Sequence, residues 1–114
     1  MAIHSLKTVQ SLVRAGKFVL ATQRCRANVQ SLGLIRSAQV RMLLAVTIAD
    51  HQKEFGPSDS EFGEIQADAY LLYYDDDNQC RCKPRDGVAY YLKFGIVTGG
   101  DGELCAVASF HLSS

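Results

Sequence analysis

Apolar positions recur at helical intervals in the first half of the chain and alternate in the second. Leu6, Val9, Leu12 and Val13 fall on one side of a helical wheel. Gly16 stands where a helix can end in the left-handed region, so a first helix is predicted over 4–15. Phe18 to Leu20 is an apolar run of the length of a brief strand. Thr22 offers a side-chain cap for a second helix that stops at Leu32-Gly33. Ser37 offers a cap for a third, with Val40, Leu43, Leu44 and Thr47 on one face, ending near Asp50-His51-Gln52-Lys53.

The pattern then changes. Residues 55–60, Phe-Gly-Pro-Ser-Asp-Ser, have the chemistry of a loop, and Gly63 keeps the chain irregular. β-favouring residues dominate from Asp68 onward, predicting strands over 69–74, 88–97 and 104–112. Asp75-Asp76-Asp77-Asn78 reads as a turn, with a short fourth strand over 79–83, and Thr98-Gly99-Gly100-Asp101-Gly102 reads as a hairpin. The apolar stripes of the helices need a partner surface. The expected fold is therefore α+β: two to three N-terminal helices packed on one face of a C-terminal, three- to four-stranded antiparallel sheet, in one domain spanning 1–114.

Alternation assigns the faces of that sheet. Val88, Tyr90, Leu92, Phe94 and Ile96 share one side, and Tyr91 and Lys93 the other. In the last strand, Leu104, Ala106, Ala108, Phe110 and Leu112 stand opposite Cys105, Val107, Ser109 and His111. Both apolar sets are expected to face the helices, because a one-residue slip would bury Lys93 and His111. A hairpin centred on Asp101 puts Tyr91 across from His111 and Lys93 across from Ser109. Phenol, ammonium, imidazole and hydroxyl then meet on the solvent side. Such a set can bind phosphate and move protons, although the wet side of a two-faced sheet also looks like this.

Composition adds three constraints. A 47% hydrophobic and 21% charged chain of 114 residues can build one core and does not read as disordered. The zero formal charge conceals a split: eight Lys and Arg against two Asp and Glu in 1–55, and four against ten in 56–114. The basic first half suits a polyanion, and Arg41 on the third helix, with Lys93, is assigned to RNA binding. No apolar run is long enough for a membrane span and no signal-peptide pattern opens the chain, so a cytoplasmic location is expected with Cys25, Cys80, Cys82 and Cys105 reduced. Cys80-x-Cys82 is shorter than the usual zinc half-site, His4, His51 and His111 are scattered, and no metal or cofactor is expected. Phosphate-loop, dinucleotide-binding, nucleophile-elbow and zinc-protease motifs do not occur.

Several local strings, in order, resemble the motility quorum-sensing regulator (MqsR) toxins, small ribonucleases of RelE-like fold that cut messenger RNA. They are Leu6-x-x-Val9-x-x-Leu12-Val13-x-Ala15-Gly16, Leu32-Gly33-Leu34, Asp50-x-x-Lys53, Asp68-Ala69-Tyr70, Tyr91-Leu92-Lys93 and Ser109-Phe110. The resemblance implies catalytic roles for Lys53, Gln66, Tyr91 and His111. Lys53 would steady the phosphate and Tyr91 position it, with Lys93 adjacent. Gln66 would match an active-site glutamine, one residue out of the family's register. His111 stands where the family has a lysine and would donate the proton. Also implied are metal-independent cleavage to a 2′,3′-cyclic phosphate and a cognate antitoxin, typically a zinc-binding, helix-turn-helix protein. Two other readings are a non-catalytic, immunity- or antitoxin-like module whose acidic sheet half docks a partner, and a nucleic-acid binder without catalysis.

Overall fold

The computed structural model describes residues 2–100 and 102–113. Three helices, α1 (Leu6–Arg14), α2 (Gln23–Ser31) and α3 (Arg36–Ala45), are interleaved with β1 (Phe18–Leu20) and precede β2 (His51–Ser60), β3 (Gly63–Asp75), β4 (Cys80–Arg81), β5 (Val88–Gly99) and β6 (Gly102–Leu112). A single 3₁₀ turn, Ile48–Asp50, leads into β2. The architecture is α+β, as expected. The sheet is larger than expected and mixed: six strands in the order β1-β6-β5-β3-β2, with β4 on the end of β3 and β1 parallel to β6.

Local chemistry explains most element ends. Ser5 caps α1 by accepting the Thr8 N–H, and Gly16 follows its end at φ +75°. The Thr22 hydroxyl accepts the Cys25 N–H at 3.0 Å and caps α2, which is closed by Gly33 at φ +69°. Helix α3 departs from expectation. It begins at Arg36 with no side-chain cap, so Ser37 lies inside its first turn. Its exposed C-terminal carbonyls are met from α1 instead: Gln10 Nε2 donates to Leu43, Leu44 and Val46.

One face of the sheet carries the main core. Tyr70, Leu72, Tyr90, Leu92, Phe94, Val107 and Phe110 pack there against Val9 and Val13 of α1, Cys25 and Val29 of α2, and Met42 and Leu43 of α3. The Tyr70 and Phe94 rings stack at 4.9 Å and 7°. The expected facing of β6 holds only at its C-terminal end. Lys93 pairs with Ser109 but Phe94 pairs with Val107, leaving Ala108 as an extra residue. This bulge reverses the alternation, so Cys105 and Val107 join the helix-side core and Ala106 turns away from it.

The other face is neither flat nor wholly wet. Ala21, Ile65, Ala67 and Ala106 form a second, small cluster there. Gly95 completes a floor of small residues, and a Cβ on it would lie 2.2 Å from the Gln66 carbonyl oxygen. The β2–β3 hairpin curls across: the Glu61 N–H reaches the Ala21 carbonyl at 3.3 Å, and the Glu61 carboxylate holds Arg26 of α2 through two contacts of 2.6 and 2.7 Å. The result is a shallow cup whose rim runs from α2 to the hairpin tip.

Candidate functional site

Strand register brings the predicted polar residues onto the cupped face. Lys53, Ala69, Lys93 and Ser109 form one row across β2, β3, β5 and β6. Leu71, Tyr91 and His111 form the next. Tyr91 faces His111 and Lys93 faces Ser109, as the hairpin geometry predicted. Ala69 between the lysines is too small to screen them. Both ammonium groups rest on the ring of Phe55, Lys53 at 5.0 Å and Lys93 at 4.5 Å from its centroid. Phe55 thus gathers two cations onto one aromatic surface.

Tyr91 and His111 stack at 5.2 Å with planes 22° apart. His111 Nδ1 lies 2.9 Å from the Leu112 carbonyl oxygen. A carbonyl has no proton to give, so Nδ1 carries the hydrogen and Nε2 is the atom left to exchange protons with a ligand. Burial pushes the Tyr91 phenol above its ordinary value, so near neutral pH it is a hydrogen-bond donor.

A cavity of about 360 Å³ opens beside this row, between the α2 residues Thr22, Arg24 and Asn28 and the sheet residues Lys93, Ala108, Ser109 and His111. The Ala108 bulge shapes its floor, and the Thr22 hydroxyl donates to the Ala108 carbonyl at 3.2 Å, fixing α2 there. Cys25 also lines it, but burial raises that thiol to about 11, which leaves too little thiolate for a nucleophile. Cys25 packs in the core.

Two of the expected residues lie elsewhere. Gln66 sits between Ile65 and Ala67, both in the small cluster on the cupped face, so alternation turns its side chain to the opposite face with Asp68. The position beside the lysine row belongs to Ala67. Arg41 lines a helix-side cavity with Tyr74, Asp76 and Tyr90. Neither joins Lys53, Lys93, Tyr91 and His111.

The acidic turn is structural. Asp75 accepts the Asp77 and Asn78 N–H groups, and Asp76 accepts the buried Tyr90 hydroxyl. Among the described residues no group of three or more His, Cys, Asp or Glu side chains is arranged to hold a metal ion, and Cys25, Cys80, Cys82 and Cys105 are free thiols. No described helix is long and apolar enough to cross a membrane.

Sequence reasoning missed three contributors. Phe55 was hidden in what reads as a loop. Arg24 and Asn28 carry a signal that could have found them: they are four residues apart, so they share one side of α2, flanking its buried Cys25 and Val29. No protein-family model, curated protein or solved structure matches the chain.

Proposed function

We propose that this protein is an mRNA-cleaving endoribonuclease toxin, of the MqsR type and RelE-like in fold, acting in the cytoplasm by metal-independent transesterification. The observation that carries the reading is the meeting of Lys53, Lys93, Tyr91 and His111 on one cupped face. The site row combines two cations, a phenol donor and an imidazole with one free nitrogen. Metal-independent RNA cleavage needs charge stabilisation at the phosphate and a proton donor for the leaving oxygen, and this set can supply both. Exposed single-stranded RNA also prefers aromatic surfaces, which Phe55 and the Tyr91–His111 pair provide.

In the proposed reaction the ribose 2′-oxygen attacks the adjacent phosphorus and its proton passes to solvent water. Lys53 and Lys93 offset the charge growing on the non-bridging oxygens, and the Tyr91 hydroxyl donates to one of them. As the bond from phosphorus to the 5′-oxygen breaks, His111, protonated at Nε2, gives its proton to that oxygen. The products are a 2′,3′-cyclic phosphate and a 5′-hydroxyl end. Gln66 and Arg41 have no part in this scheme. The resemblance of the chain to these toxins also implies silencing by a cognate antitoxin, zinc-binding and helix-turn-helix in type.

The test is digestion of messenger RNA by the purified protein in EDTA, followed by end-group analysis. Cyclic-phosphate ends that vanish with Lys53→Ala and His111→Ala are expected. Cleavage by both variants at the wild-type rate overturns the assignment, and RNA retention without any cut favours a binder.

A further inference from the structure

We infer that the cavity between α2 and β6 is a nucleotide subsite, in which Arg24 and Asn28 bind the nucleotide next to the scissile phosphate and read its base. This rests on the reading of the sheet face as an RNA-cleaving surface and extends it to the helix opposite.

The two arginines of α2 make the case by contrast. Arg26 is fully engaged: it donates to the Leu20 carbonyl at 3.0 Å and grips both oxygens of Glu61. Arg24, two residues earlier and therefore on another side of the helix, is exposed and has no protein partner among the described residues. The Asn28 amide, one turn on, and the Ser109 hydroxyl across the cavity likewise have none. Unused donors of three kinds thus converge on one space. No carboxylate lines it, whereas Arg24 and Lys93 both do, so the occupant is anionic. Its volume, about 360 Å³, falls within the range of small-ligand sites.

Helix α2 cannot drift from this position. Thr22 ties its first turn to the bulged Ala108, and Arg26 ties it to the hairpin tip. A rigid wall carrying a planar guanidinium fork and an amide suits the edge of an unstacked base, because both present fixed hydrogen-bond geometry. His111 belongs to the cavity and to the Tyr91 stack at once. A base seated against α2 therefore brings its own phosphate toward Nε2.

The experiment uses two probes: a short single-stranded RNA with every ribose 2′-O-methylated, which cannot be cut, and an unmodified RNA of randomised sequence. With the uncleavable probe, Arg24→Ala and Asn28→Ala are each expected to weaken binding about tenfold. Arg14→Ala, which removes the same charge from α1, is expected to bind as wild type. With the randomised RNA, Asn28→Ala is expected to lose base preference at one position flanking the cut. Binding by Arg24→Ala and Asn28→Ala equal to wild type overturns the subsite, and so does equal weakening by Arg14→Ala or a wild-type protein that does not bind the probe. Arg24-dependent binding by a protein that leaves the randomised RNA intact upholds the subsite and sinks the catalytic reading. Wild-type cleavage with unchanged site choice in both variants does the reverse.

Discussion

His51 Nε2 lies 3.0 Å from Oδ1 of Asp68, a carboxylate that is 1% exposed and also accepts the backbone N–H groups of Ile3 and His4. One buried charge thereby pins the segment before α1 to β3 and to the start of β2. Alanine at position 68 would leave three donors without an acceptor. Asp68→Ala is expected to cost about 3 kcal/mol in urea unfolding, whereas Gln66→Ala, an exposed side chain nearby, is expected to change it little.

The same group contributes to the response to acid. Burial works to raise the Asp68 carboxyl, but the His4 and Ile3 N–H groups and the His51 ring outweigh it and hold it below its ordinary value. A depressed carboxylate contributes stability that is present in full above the unfolded value, about 3.9, and lost as pH falls through the folded one. The unfolding midpoint is expected to decline below about pH 4 and to decline less steeply in Asp68→Asn. Equal acid limbs in the two proteins would count against this account.

The row Lys53–Ala69–Lys93 predicts a salt signature. If each lysine neutralises one phosphate, Lys53→Ala and Lys93→Ala should each flatten the slope of log affinity against log salt by about 0.7 for single-stranded RNA. Arg41→Ala, on the helix side, should leave the slope unchanged.

Tyr91→Phe keeps the ring on His111 and removes only the hydroxyl. Turnover on RNA is expected to fall about 100-fold with little change in melting temperature. Tyr91→Ala removes the stack as well and should also loosen RNA binding. Equal turnover by wild type and Tyr91→Phe would strip the phenol of its role.

Gly95→Ala tests the floor of the cup. The added Cβ meets the Gln66 carbonyl, which is backbone and cannot swing away. Destabilisation of about 1–3 kcal/mol is expected from urea denaturation.

The sequence carried the helices, the β5–β6 hairpin and the Tyr91–His111 and Lys93–Ser109 pairings, because capping residues, spacing and alternation are local signals. It concealed β2. Phe55-Gly56-Pro57-Ser58 reads as loop, yet the irregularity between Phe55 and Ser58 is a bulge on an edge strand, where a proline lacking its N–H is tolerated. It also concealed the Ala108 bulge, since one extra residue inside an alternating run leaves no mark until the partner strand is known. Gln66 follows from the same blindness: a string match cannot tell which face a residue takes, and one position of register decides it. The parallel pairing of β1 with β6 joins segments far apart in sequence, and three apolar residues cannot announce such a partner.

That pairing has a consequence for synthesis. Phe18, Val19 and Leu20 find their neighbours only in Cys105, Ala106 and Val107, more than eighty residues later. The order of emergence from a ribosome therefore leaves β1 without a strand partner until β6 is made, although β2, β3 and β5 can already pair with one another. Contacts so distant along the chain slow folding, and a product truncated before β6 would lack the strand that joins β1 to β5, and His111 with it. Such a copy would therefore be without both the pairing that β1 needs and the imidazole on which the proposed chemistry depends.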